Sequence, residues 1–167
     1  MNKSLSLAIA AIICCSSMNS TAQTMIGKTT DINQITTGDR MTPEALWAMG
    51  RIGGAAASPD GKTIVYQVAY YSVKENKSHQ TLYRVNADGK DTRALTTTAA
   101  NESDAAWIAG GQRIAFLSKG QLWSMNADGT DRKQLTNSDI EIEGFSFSPD
   151  EKKVILIKSL PYHESIK

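Results

Sequence analysis

The sequence predicts an all-β fold, a partial β-propeller of about two and a half four-stranded blades, on the strength of two repeated phrases. LYRVNADGKDTRALT from Leu82 returns as LWSMNADGTDRKQLT from Leu122, 40 residues further on. SPDGKTIVY from Ser58 returns as SPDEKKVIL from Ser148, with a degenerate copy, IAGGQRIAF, beginning at Ile108. Self-similarity at about 40 to 45 residues is the mark of propeller blades. The last two copies are again 40 apart, but the first gap is 50, and the extra residues lie in the polar stretch Tyr71 to Gln80. An insertion that leaves its flanking repeats intact belongs in a loop. A solvated hairpin projecting from one rim is therefore expected there, with gating or partner contact as its functional alternative.

Residues 1–22 read as a cleavable signal peptide. Lys3 supplies the positive start, Leu5 to Ile13 the apolar run, and Ser20, Thr21 and Ala22 the small residues before Gln23. The run is too short to span a bilayer. Cys14 and Cys15 close it, but Ile13 stands where a lipoprotein signal needs a small residue, so a periplasmic or secreted protein is expected in preference to a lipid-anchored one. Both cysteines leave with the signal, which excludes disulfides, thiol nucleophiles and cysteine-bound metals from the mature chain. Without Lys3, 17 basic residues face 17 acidic ones, and a neutral surface argues against nucleic acid and anionic membranes as partners. No later segment is long and apolar enough for a membrane helix.

Residues 23–40, rich in Thr, Asn, Asp and Gly, read as a flexible tether. Residues 41–54 predict one short helix and an entry segment. Thr42 is a suitable N-cap, Pro43 fits the first helical position, and Glu44 complements the helix dipole. Leu46, Trp47 and Met49 offer an apolar surface for docking, and Gly50, Gly53 and Gly54 end the helix.

Residues 55–167 predict an incomplete propeller, with blades at about 55–97 and 103–137 and a partial one at 144–167. In Ser58-Pro59-Asp60-Gly61, Pro presets φ, Asp bonds nearby backbone and Gly accepts positive φ, so the phrase reverses the chain between two strands. The next strand is Thr63 to Tyr70. Its later equivalent, Arg113 to Ser118, puts Ile114 and Phe116 on one face and Ala115 and Leu117 on the other, the pattern of a strand buried between packed sheets. Leu122 to Met125 form a third strand, NADGTD turns, and Arg132 to Thr136 form a polar fourth. Two blades and a fraction cannot close a ring, so the simplest expectation is the N-terminal piece of a longer protein. Alone, such an open stack is expected to aggregate or remain partly ordered.

No catalytic, cofactor-binding or metal-binding residue is assigned from the residues themselves. There is no GxSxG elbow. His79 lies in the polar insertion and His163 near the C-terminal end, and solvated loop histidines are the simpler reading of both. Asn126, Asp128 and Asp131 resemble the start of a calcium loop but lack its distal Glu, and the same residue types suit a hairpin turn. Gly50, Gly53 and Gly54 miss the GxGxxG spacing. Trp107 and Phe147 occupy one repeat slot and Trp123 matches Tyr83, so these aromatics read as framework between blades and not as a ligand-stacking set.

The phrases SPDGKTIVY, LYRVNADGKDTRALT and LWSMNADGTDRKQLT resemble the WD40-like propeller repeat shared by TolB-type proteins and the prolyl oligopeptidase family of serine peptidases. The prelude from Met41, in which a short helix leads directly into the first blade, resembles the secreted bacterial dipeptidyl-peptidase members of that family. The resemblance implies a propeller that restricts peptide access to a C-terminal α/β-hydrolase domain carrying a Ser, Asp, His triad. None of the three falls on a residue of this chain, which is expected to be inert alone. Peptide substrates and a homodimer of the parent are implied in the same way. The alternative is a non-catalytic, TolB-like periplasmic binding propeller.

Overall fold

A computed structural model describes residues 41–72 and 75–160. The expected signal peptide (1–22) and tether (23–40), His163 and the side chain of Glu44 lie outside the described residues. Helix α1 (Pro43–Ala48) forms as the sequence predicts: Thr42 Oγ1 accepts from the Ala45 amide at 3.2 Å, and Pro43 opens the first turn. Its docking differs from expectation. The helix is only six residues long, and its fully buried position is the small Ala45. Leu46 and Trp47 stay largely exposed.

Ten strands follow: β1 (Arg51–Ala57), β2 (Thr63–Ser72), β3 (Lys77–Asn86), β4 (Arg93–Ala94), β5 (Glu102–Ile108), β6 (Arg113–Ser118), β7 (Gln121–Asn126), β8 (Lys133–Gln134), β9 (Gly144–Phe147) and β10 (Val154–Ile157). They form two four-stranded antiparallel sheets, β1-β2-β3-β4 and β5-β6-β7-β8, and a β9-β10 pair. The partial propeller expected from the repeats is the architecture observed. A short 3₁₀ turn, Ala109–Gly111, joins β5 to β6.

Each repeated phrase builds the same turn. In the first copy Gly61 N donates to Ser58 O, Ser58 Oγ donates to Asp60 Oδ1 at 2.6 Å, and Thr63 N donates to Ser58 Oγ. Ser148, Asp150, Glu151 and Lys153 reproduce this set in the last copy. These Ser and backbone donors hold the Asp60 and Asp150 carboxyls below the usual range, the serine hydroxyl contributing most. The NADG turns likewise match: Gly89 N donates to Asn86 O and Gly129 N to Asn126 O, with φ of 80° and 92°.

The two NADG glycines differ in their surroundings. A Cβ at Gly129 would sit 3.0 Å from Leu95 O, whereas one at Gly89 would meet nothing within 4 Å. Gly89→Ala is expected to cost about 1–2 kcal/mol for the left-handed backbone alone. Gly129→Ala should cost more, because a carbonyl of the neighbouring sheet must also move. Urea midpoints of the two variants check the order.

Strand β6 is buried along nearly its whole length, and its faces belong to different interfaces. Ile114 and Phe116 join Val65, Leu82 and Leu95 of the first sheet in one core cluster, with Met125 alongside. Ala115 and Leu117 join Leu122 and Ile142 in another, against Phe145, Phe147 and Leu156 of the third sheet. The two-sided alternation read from the sequence is thus the seam pattern of three stacked sheets. Trp107 and Trp123 pack on the first cluster and Phe147 on the second, and Trp107 Nε1 donates across the seam to Ala56 O at 2.9 Å. They are framework aromatics, as their repeat slots predict.

The insertion departs from expectation. Tyr71 and Ser72 continue β2, and Lys77 to Gln80 begin β3, with the ladder unbroken from Thr63↔Asn86 to Ser72↔Lys77. The extra residues lengthen the strands of the first sheet more than they make a loop. Gly53 and Gly54 also do more than end the helix, for they lie in a β-bulge between β1 and β2, where a Cβ on Gly53 would collide with the Gln67 side chain. An equivalent bulge in β5 holds Asp104 at φ 53°, and Asp104 N donates to Gln67 Oε1, tying the two bulges together.

Candidate functional site

Strand direction sorts the connections onto two rims. The SPDG and NADG turns share one. The other carries the chain's entry through α1, the β2–β3 hairpin, the β4–β5 link, the β6–β7 turn and the β8–β9 link. This entry rim departs from the repeat, and two recesses of the described residues open on it.

The first recess, of about 400 Å³, lies between α1 and the lengthened hairpin. Arg51, the first residue of β1, places its guanidinium 4.6 Å from the ring centroids of both Trp47 and Tyr71. The two rings meet edge to face at 5.6 Å. Asn76, Lys77 and Ser78 of the hairpin form the facing wall. Such a volume suits a small ligand or a few residues of a peptide. The second recess, about 640 Å³, lies between the sheets, where Lys119, Glu141 and Glu143 mix charges of both signs.

Beneath the rim, the seam between the first two sheets contains a polar cluster. Glu102 is fully buried and Oε1 accepts from Arg132 and from Thr98 Oγ1. Arg132 also donates to Ser118 Oγ and lies 4.9 and 4.8 Å from the Phe116 and Trp123 rings. Glu102 Oε2 and His79 Nε2 have no hydrogen-bond partner among the described residues.

His79 corrects the reading of a solvated loop histidine. It sits in β3 opposite Tyr70 and is only 5% exposed. The insertion is held down at this point, since the neighbouring Gln80 N donates to Asn101 Oδ1 of the β4–β5 link. Burial lowers the His79 pKa, and the Glu102 carboxylate opposes the shift without reversing it. A histidine kept neutral by folding takes up its proton more readily when unfolded, so its contribution to stability is present above about pH 6.5 and is lost as pH falls below that value. Melting temperatures of wild type and His79→Gln between pH 5 and 8 should show wild type losing more stability on the acid side. An opposite slope counts against a neutral, buried His79.

The calcium-like residues are engaged in their turn. Asp128 Oδ1 accepts from Thr130 N and Oγ1, Asn126 Oδ1 accepts from Arg113, and Asp131 Oδ2 pairs with Arg113 and Lys133. Thr130 holds the Asp128 carboxyl below its ordinary range, and Lys133, followed by Arg113, does the same for Asp131. Gly50 approaches Tyr70, where a Cβ would stand 2.8 Å from the ring, so its role is close packing. Sequence reasoning missed Arg51 and Tyr71 as partners of Trp47. The available signal was that all three lie outside the repeated phrases.

No family model matches the chain. It is 42% identical over 135 residues to dipeptidyl-peptidase 5 of Porphyromonas gingivalis, a match covering 78% of this chain and 20% of the relative. It is 41% identical over 119 residues to dipeptidyl-peptidase 5 of Porphyromonas endodontalis, covering 69% of this chain and 17% of that protein. The chain therefore spans about a fifth of the length of these relatives. Among solved structures it is similar to Pyrococcus horikoshii acylaminoacyl peptidase, with a TM-score of 0.55 and 13% identity over 66% of this chain and 17% of that one. It is also similar to a chain of the nidogen/laminin complex, with a TM-score of 0.52 and 15% identity over 66% of this chain and 41% of that one. At such low identities these likenesses bear on the fold alone. Identity above 40% across most of the chain makes it similar in sequence to one segment of the dipeptidyl-peptidase 5 proteins.

Proposed function

We propose that the chain is the N-terminal propeller part of an exported serine peptidase that releases dipeptides from peptide N-termini, and that its entry rim controls which peptides reach a hydrolase domain. The observation that carries this is the 42% identity to dipeptidyl-peptidase 5 over 135 residues, 78% of this chain. The rim geometry fits the role: the chain enters there, the strands are lengthened there, and the recesses open there. Export through a signal peptide cleaved after Ala22 belongs to the same proposal.

The test is made on the complete gene product. An active-site serine probe should label it, dipeptides should be released from unblocked model peptides, and the mature N-terminus should be Gln23. Absence of both labelling and dipeptide release would remove the peptidase assignment.

A further inference from the structure

Arg51, flanked by two aromatic rings, has a chemistry that the propeller framework does not use. We infer that the recess between α1 and the β2–β3 hairpin is a subsite for a peptide carboxylate, with Arg51 as the recognising cation. Arg51 is exposed, and no ion pair or side-chain hydrogen bond occupies its guanidinium among the described residues. The Trp47 and Tyr71 rings, inclined at 64° to each other, both stand 4.6 Å from its Cζ and confine the guanidinium between them. Aromatic neighbours accept no conventional hydrogen bonds from its N–H groups, and the planar guanidinium fork is the arrangement that binds a carboxylate through two parallel hydrogen bonds.

The other wall completes the complementarity. Lys77 adds a second cation, Asn76 and Ser78 add neutral polar groups, and no carboxylate lies among the described residues that line the recess. Trp47 and Tyr71 supply apolar surface for the hydrocarbon beside the carboxylate. The recess contrasts with the neighbouring one, where Glu141 and Glu143 face Lys119. It also has no counterpart in the second sheet, whose β6–β7 hairpin closes in the two residues Lys119 and Gly120. The site is thus specific to the inserted hairpin and the entry helix.

That the ligand is a peptide rests on the peptidase reading above; the carboxylate preference rests on the recess alone. The carboxylate can be a peptide's C-terminus or an acidic side chain, and two probes separate them. Titration calorimetry on the complete gene product would use N-acetylated pentapeptides: a neutral peptide with a free C-terminus, its C-terminal amide, and an amide carrying one Glu. The free acid, the Glu-containing amide, or both should bind more tightly than the neutral amide. Arg51→Met should weaken the preferred peptide by roughly tenfold or more, and Arg51→Lys should fall between, since it keeps the charge and loses the fork.

Arg51 lies at an exposed strand end, and far-ultraviolet circular dichroism establishes that each variant folds. Equal binding of all three peptides, or no change in Arg51→Met, overturns the inference. Serine-probe labelling of the same preparations keeps the two proposals apart. Labelling without carboxylate preference removes the subsite and leaves the peptidase, whereas preference without labelling does the reverse.

Discussion

Arg132→Ala is expected to destabilise the complete protein by about 3–5 kcal/mol, the range for breaking a buried ion pair from one side. Its partner Glu102 is fully buried, and Arg132 itself keeps only 24% of its side chain exposed. Truncation leaves the carboxyl in the seam with Thr98 as its remaining partner and takes a stacked cation from between Phe116 and Trp123. Replacing both partners, as Glu102→Gln with Arg132→Met, should recover much of the loss, because most of it comes from the charge left behind and little from the pair's net attraction. Urea denaturation followed by tryptophan fluorescence checks the comparison. A double variant no more stable than Arg132→Ala would assign the loss to packing.

Phe116→Ala should cost about 3–5 kcal/mol, as expected for a large aromatic removed from a rigid core. Phe116 is fully buried where the first and second sheets meet, among Val65, Leu82, Ile114 and Met125. Leu117→Ala, on the opposite face of the same strand, should cost less: its cluster is smaller and its partners Phe145, Phe147 and Leu156 are only partly buried. Phe116→Ala and Arg132→Ala should not be additive, since guanidinium and ring lie 4.9 Å apart. The unfolding midpoints of the three variants and of the Phe116/Arg132 double variant supply the measurement.

Local chemistry was legible in the sequence wherever it repeats. The Ser58 and Ser148 turns, the NADG turns and the alternation along Arg113 to Ser118 are written in neighbouring residues, and they appear in the structure with matching hydrogen bonds and faces. What could not be read is what stands opposite across a seam. His79 looks solvated in the string YSVKENKSHQ because its covering residues, near Asn101 and Glu102, come more than 20 positions later. The Arg51 cradle is hidden for a related reason. Trp47, Arg51 and Tyr71 come from a helix, a strand start and an inserted strand end, and no periodicity connects them. Ala45 was overlooked because side-chain size suggested Leu46 and Trp47, whereas the close approach of a short helix to a sheet favours a small residue.

The two-sided burial of β6 bears on how its hairpin finds its alignment. In a half-polar strand, a slip of one residue is penalised because it turns the apolar face to water. Here a slip would exchange Ile114 and Phe116 with Ala115 and Leu117, and both faces would remain apolar. Hydrophobic pattern alone therefore leaves the correct pairing weakly distinguished, and the ends of the hairpin must decide it. At one end Lys119 and Gly120 take φ of 52° and 65°, the backbone of a two-residue reversal that admits a single pairing of the flanking residues. At the other, Arg113 donates to Asn126 Oδ1 at 2.7 Å and to Ser124 Oγ at 3.0 Å, contacts available only when Arg113 stands opposite Asn126. Alignment of the most deeply buried strand is thus enforced by the polar extremities of its hairpin, which makes those residues the guardians of pairing fidelity during folding.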